Sequence, residues 1–333
     1  MAVAGLVART ARRTINNMNI WEFLGLPSDH RPEDKTVQLV RHHEDVIKKV
    51  TYPRIAQVKK DGVFALVVMD SGRVAIFGRT GRELQSVQHL YPAPATCNGR
   101  VAFIAELCCD TCSLEELSGI VNPNRKKPLD VTQQEHIDRA YLAVHDMVYL
   151  SELIAGESER TYHWRYLDMV NAMHGINHGM TALVCTYCTD EEQCELFALR
   201  AIAQGEEGAV FKDPEAGWVA GRKNEVATKK VKGVDFDLEV VGIEEGKGKH
   251  SGMVGKLVVK WCLYGKWPAS EPKYENLPVD GCFTQDMRKA WFADPSEIIG
   301  KIVHVHALCI GSKGALRLPK VKSVRIDKTV ADL

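Results

Sequence analysis

Short apolar runs bounded by turn residues organise the chain from residue 54 onward. Val63-Phe64-Ala65-Leu66-Val67-Val68 and Arg73-Val74-Ala75-Ile76-Phe77 flank Asp70-Ser71-Gly72, and a turn triplet between two such runs predicts a β-hairpin. A third strand is predicted over residues 100–107, with Glu106 near its end. The period then changes. Over residues 189–205, Thr189 and Glu192 match a capping box, Cys194, Phe197, Ala198, Ala201 and Ile202 share one face, and Gly205 suits the stop, which predicts a helix leading into Glu206-Glu207-Gly208. Strand-like runs resume at Ala209-Val210-Phe211 and at residues 236–243, 253–263 and 302–308, separated by turns such as Glu245-Gly246-Lys247-Gly248. Many short strands at this spacing predict a small closed β-barrel starting near Gly233. Residues 1–45 carry no chemical motif, and Arg41, His42 and His43 read as the end of a helical or loop lead-in. The class expected is therefore α+β: a lead-in over 1–45, a larger domain with antiparallel sheets over 46–232, and a barrel over 233–333.

Composition narrows the class without naming a chemistry. With 333 residues, 45% of them hydrophobic and 26% charged, the chain has room for two domains with sizeable cores. No run of about 18 apolar residues is present, so no membrane span is expected. Formal net charge is zero, so any nucleic-acid binding must come from segregated charge. Residues 229–333 supply that segregation, with 18 Lys and Arg against 13 Asp and Glu. Ten scattered cysteines with no secretory signal ahead of them point to a reducing compartment, with the cytoplasm as the expected location. Cys108, Cys109 and Cys112 with Cys185, Cys188 and Cys194 could supply zinc ligands, but free thiols packed in strands are the outcome expected of that spacing. Arg9, Arg12 and Arg13 precede any acid and imitate a mitochondrial transit peptide. The stretch is short and lacks serine, which favours a disordered leader or a start at Met18.

Candidate chemistry sits in charged boxes. Gln57-Val58-Lys59-Lys60-Asp61-Gly62 offers an amine that can attack a phosphate if its charge is suppressed, with Lys60 beside it to lower its pKa. Gly62 permits close backbone approach to a ligand and Asp61 can orient the loop. Gly78-Arg79-Thr80-Gly81 presents a guanidinium suited to bidentate phosphate capture. Glu106, His145 beside Asp146, Glu207, Lys230-Val231-Lys232 and Arg325-Ile326-Asp327-Lys328 follow in order. Singly, each has a bland explanation: a surface lysine pair, a glycine turn, a surface histidine, a solvated basic strand. His174 and His178 are spaced for one helix face, but Gly175 and Gly179 argue for a loop, so no metal site is read there.

In order, the six boxes resemble those of the covalent nucleotidyltransferases, most closely the ATP-dependent DNA ligases, over roughly residues 50–330. The resemblance implies an adenylation domain followed by an OB-fold barrel, ATP and Mg²⁺ as cofactors, and Lys59 as the nucleophile that becomes adenylated. It implies that Gln57, standing where the family has Glu, accepts from the adenine amine, that Asp61 and Gly62 complete that box, and that Arg79 contacts the nucleotide or the 5′-phosphate of a nick. Phe64 stands where the family has Arg. Glu106 would serve the ribose and metal, with Ile104-Ala105 in place of Asp-Gly, and Glu207 would be the second metal-side carboxylate. His145 takes the position of a Phe that stacks on adenine. Lys230 and Lys232 would touch the α-phosphate, with Thr228 where Trp is usual, and Arg325 and Lys328 would help expel pyrophosphate. The implied partner is nicked duplex DNA, sealed between 5′-phosphate and 3′-hydroxyl by a monomer. The small two-domain plan is similar to that of bacteriophage ligases, which implies a context of DNA replication, repair and recombination. An RNA ligase or a capping guanylyltransferase shares the first five boxes.

Overall fold

The unbroken apolar run at residues 63–69, closed by Asp70, forms a strand buried on both faces. The computed structural model describes residues 18–31, 36–92, 99–176, 179–221, 223–262, 273–311 and 314–332. In it that run is β3 (Val63–Asp70), antiparallel to β4 (Arg73–Phe77) and to β5 (Arg100–Cys108). Next come β6 (Tyr141–Tyr149), antiparallel to β5, and β8 (Met180–Ala182), parallel to β6, giving the order β4-β3-β5-β6-β8. Ala65, Val67 and Met69 point into one core layer, shared with α2 (Leu114–Ile120), α3 (Val131–Asp138) and α5 (Tyr162–Met173). Phe64, Leu66 and Val68 point the other way, against α1 (Ile20–Phe23), α4 (Leu150–Ala155) and Trp218. A strand with no wet face needs no polar alternation, which is why it reads as a continuous run. Each wholly buried Leu, Val or Ile contributes about 1.5–3 kcal/mol to these layers.

The second sheet runs β1 (Leu39–His42), β12 (Lys223–Val231), β10 (Gly208–Lys212), β2 (Arg54–Lys59), β9 (Thr186–Cys188). β1 is parallel to β12, and β10 and β9 are antiparallel to β2. α6 (Glu191–Ala203) covers it, burying Cys194 and Ala198 against Ala56, Ala209 and Phe211. β7 (Glu157–Ser158) and β11 (Trp218–Val219) form a separate short pair.

Several expectations change here. The α6 cap is Asp190, not Thr189: its carboxylate accepts from the Gln193 backbone N–H, and Gln193 reaches back to Thr189. A carboxylate one residue on takes over the capping role, since it also suits the positive end of the helix dipole. Gly205 closes the helix as expected, with φ +91°. Residues read as a lead-in belong to the larger unit, because Ile20, Trp21 and Phe23 fill its core and β1 joins its sheet. His43 is buried, between Thr228 Oγ1 at 2.8 Å and Glu191 Oε2 at 2.7 Å. Arg9, Arg12, Arg13, His178 and Leu263 lie outside the described residues.

The chain divides between Lys230 and Val231 into two units. In the second, β13 (Val234–Glu245), β14 (Val254–Cys262), β15 (Tyr274–Gly281), β19 (Lys320–Arg325) and β16 (Ile302–Ala307) close a barrel in that order. Leu238, Val240, Leu257, Val259, Val303 and Val305 fill it, alternate residues of each strand pointing inward. α7 (Gln285–Ala293) adds Trp291 to the same core, and β17 (Cys309–Ile310) pairs with β18 (Leu316–Arg317). Among the described residues no helix is long and apolar enough to cross a membrane.

Candidate active site

The register of β2 against β10 sets Lys59 opposite Gly208 and Gln57 opposite Val210. Glu207, the residue before β10, therefore arrives beside the end of β2, and Lys59 Nζ donates to Glu207 Oε2 at 2.5 Å. The two side chains are 20% and 12% exposed, shielded enough for the pair to exceed the value of a surface ion pair. Lys60 pairs with Glu206. Lys59 faces a cavity of about 460 Å³ between the two sheets, lined also by Gln57, Phe64, Arg79, Glu106 and His145, a size in the range of small-molecule sites.

Gly62 has a specific reason to be glycine, different from the one expected. A Cβ there would lie 2.7 Å from Leu107 O and 3.1 Å from Glu106 Cβ, so β5 itself approaches the glycine too closely for a side chain. Asp61 is exposed and does not line the cavity.

Opposite Lys59, burial pushes the Glu106 carboxyl up to about 7, with Lys59 and Arg79 pulling it down and Glu207 adding to the rise. Arg79 has its guanidinium carbon 5.8 Å from the centre of the Phe64 ring, a cation–π contact. The aromatic in place of the family's arginine thus floors the cavity beneath the arginine of the next box.

His145 is not a surface residue. Burial first, and the Lys212 ammonium second, hold its imidazole down at about 3, so the ring is neutral. Lys212 Nζ lies 3.3 Å from Nδ1 and 3.1 Å from the His145 carbonyl. An ammonium has only donors, which assigns Nδ1 as acceptor and the ring proton to Nε2. Lys212 is also 3.6 Å from Asp146 Oδ2 and 4.1 Å from the centre of the Tyr162 ring. Asp146 receives Arg165 Nε at 3.0 Å. Burial alone would raise that carboxyl, but Arg165 and Lys212 bring it to about 2.

Gln57 is 1% exposed. Its amide donates to Leu183 O at 3.3 Å, and Tyr162 donates to its oxygen at 2.8 Å. The oxygen expected to meet an adenine amine therefore already has one donor and keeps one lone pair.

Of the two lysines expected at the α-phosphate, neither lines the cavity. Lys230 pairs with Glu195 on α6, and Lys232 belongs to the unit after the division. Lys229 lines the cavity instead, with Ala227 two residues earlier, because a strand sends alternate side chains to one face. Arg325 and Lys328 lie in the barrel unit, where both reach Asp237 Oδ2 at 2.7 Å. Lys212, Tyr162 and Lys229 were missed in the sequence. The alternation of Val210 and Lys212, both lining the cavity, was the available signal for the first.

The donors fit a hard divalent cation. Glu106 and Glu207 offer carboxylate oxygens, the charge of Glu207 adding to the rise of the Glu106 carboxyl, and oxygens of this kind suit a hard ion such as Mg²⁺.

Comparison with known proteins agrees with this layout. The profile of the family described as "ATP dependent DNA ligase domain" matches residues 36–232. The chain is similar to the DNA ligase of Pyrobaculum calidifontis, 24% identical over 265 residues, covering 74% of this chain and 43% of that protein. The DNA ligase of Pyrobaculum islandicum is also 24% identical, over 274 residues, covering 76% and 44%. The chain thus spans less than half the length of these curated relatives. Among solved structures, a Lig E DNA ligase is similar with a TM-score of 0.61 at 16% identity, covering 87% of this chain and 98% of that one. The ATP-dependent DNA ligase of bacteriophage T7 gives a TM-score of 0.53 at 17% identity, covering 87% and 99%. These structural likenesses concern the fold. The profile match takes in more than half of the sequence and all the strands around the cavity, and by it the chain belongs to the ATP-dependent DNA ligase domain family.

Proposed function

We propose that the protein is an ATP-dependent DNA ligase that seals nicks through an adenylate carried on Lys59. The observation that carries this reading is the Lys59–Glu207 pair at 2.5 Å, with Lys59 lining a cavity that also presents Glu106, Arg79, Lys212 and Lys229. An ammonium cannot attack. Its proton must leave first, and Glu207 Oε2 is within reach to accept it. The freed amine of Lys59 then attacks the α-phosphorus of ATP, forming an N–P bond as the bond to pyrophosphate breaks. A 5′-phosphate oxygen of the nick next takes the adenylate, returning the lysine. Last, the adjoining 3′-hydroxyl attacks that phosphate and releases AMP.

Each transfer builds charge on nonbridging phosphate oxygens, so positioned cations are what the protein must supply. Arg79, Lys212 and Lys229 are placed for that in the larger unit; Arg325 and Lys328 are the cations of the barrel unit. Mg²⁺, which Glu106 and Glu207 would hold, adds charge neutralisation at the same oxygens when bound. Neutral His145 offers an imidazole face to the base. The surplus positive charge of residues 229–333 supports phosphate-backbone contact that tolerates any sequence, with the protein acting as a monomer on nicked duplex DNA.

The test is direct. After incubation with Mg²⁺ and ATP, intact-mass and peptide analysis is expected to find one AMP on the peptide containing Lys59, discharged by nicked DNA and not by nicked RNA. Stable labelling by GTP, or an adduct persisting in Lys59→Ala, would overturn the assignment.

A further inference from the structure

Three side chains that the adenylation chemistry does not use converge just beyond β5. Cys109-Asp110-Thr111-Cys112 leaves that strand three residues after Glu106 and enters α2 through the Ser113 cap. α3 brings His136 alongside in its last turn. One ligand atom each from Cys109, Cys112 and His136 lies within 4.8 Å of the other two, and all three residues are half-buried. In a tetrahedral zinc site, donors at the usual bond lengths stand about 3.5–3.8 Å apart, so small side-chain rotations close the remaining gap.

The surroundings resemble those of a metal site. Thr111 Oγ1 is 3.0 Å from His136 Nδ1 and holds the ring, as the outer partner of a ligating histidine does. Cys109 Sγ lies 3.2 Å from Thr111 Oγ1 and donates to the His136 carbonyl at 3.2 Å, so metal uptake requires this thiol to lose its proton and turn off that carbonyl. Glu116, in the first turn of α2, has Oε1 3.9 Å from His136 Nε2, near a ligand-to-ligand distance.

We propose that Cys109, Cys112 and His136 form a structural zinc site, with Glu116, which lies outside the three-atom cluster but 3.9 Å from His136, turning in to take the fourth position. Thiolate and imidazole donors favour zinc, whereas the all-carboxylate pair in the cavity suits a hard ion. Binding displaces the protons of the two thiols. It ties the exit of β5, which carries Glu106, to α2 and to α3, which leads into β6 and His145. The cysteines at 185, 188 and 194 take no part: Cys188 on β9 and Cys194 on α6 are packed in the core between that helix and the second sheet.

Full-length protein purified in reductant without chelator is expected to contain one zinc per chain. Cobalt substitution is expected to give the thiolate charge-transfer and visible bands of tetrahedral Co²⁺, a reading that needs no variant. Cys112→Ser and His136→Ala are expected to lose the metal and to melt where chelated wild type melts, while Cys188→Ser keeps it. The proposal falls if reduced, folded protein takes up no zinc, if Cys112→Ser retains it in full, or if Cys109 and Cys112 are recovered as a disulfide from freshly prepared reduced cytosol-like conditions.

Discussion

Tyr162 donates its hydroxyl to Gln57 Oε1 at 2.8 Å while the Gln57 amide donates to Leu183 O at 3.3 Å, so a neutral carboxamide is gripped from both ends in a place with almost no solvent. A carboxylate could accept from Tyr162 but would turn its other oxygen onto a backbone carbonyl. Gln57→Glu, although it restores the family's usual residue, is therefore expected to lower stability by about 1–3 kcal/mol, the cost of a buried acceptor facing an acceptor. Urea denaturation measures it, and an unchanged midpoint refutes it.

Glu106 gives a pH signature. Burial pushes its carboxyl up to about 7 in the folded protein, from an ordinary 4.5. Between those values the folded state binds the proton and the unfolded state does not, so the group costs stability as pH rises from 4.5 to 7, and Glu106→Gln is expected to remove that decline. A divalent cation needs the carboxylate charged. The Mg²⁺ concentration giving half-maximal lysine adenylation is therefore expected to rise as pH falls below 7, by up to about tenfold per unit if this proton alone competes. A flat Mg²⁺ requirement from pH 8 to 6 would exclude the linkage.

His145 acts in the opposite window. Its folded value of about 3 lies below the ordinary 6.5, so the unfolded chain takes up a proton that the folded one refuses. Stability is whole above 6.5 and declines as pH falls toward 3. His145→Phe is expected to flatten that acid decline and to keep adenylation within about threefold, since a wider aromatic face replaces a neutral one. Thermal melts at pH 4 and 7 on both proteins settle it.

At Gly62 the constraint is steric. Gly62→Ala places a methyl 2.7 Å from Leu107 O, and relieving it displaces β5 at Glu106. A loss of about 1–3 kcal/mol is expected, as for other overpacked sites, with a fall in adenylation larger than that of Gly72→Ala, where nothing lies within 4 Å.

Much of the fold was legible because burial leaves a period. The β3–β4 hairpin, α6 and the strands β13, β14 and β16 all show it. β2 was not read, because Arg54 and Gln57 are polar yet 1% exposed. They are satisfied internally, Arg54 by Thr51 O at 2.7 Å and Val226 O at 3.1 Å, and such pairing is invisible in composition. The site shows the same limit. Lys59 and Glu207 stood out through their neighbours, but in Thr228-Lys229-Lys230 both faces are polar, so nothing in the sequence fixes the register. The resemblance points to Lys230; the strand turns Lys229 inward. His136 has no sequence neighbour to announce it, since a loop and two helices bring it to Cys109 and Cys112.

Asp237, joined by Asp327 and Asp332, keeps Arg325 and Lys328 occupied in the barrel unit. An incoming anion recruits these two only by displacing carboxylates already seated. A guest with several negative charges, such as a polyphosphate tail, is better suited to that competition than a neutral sugar, because each added charge pairs with both cations at once.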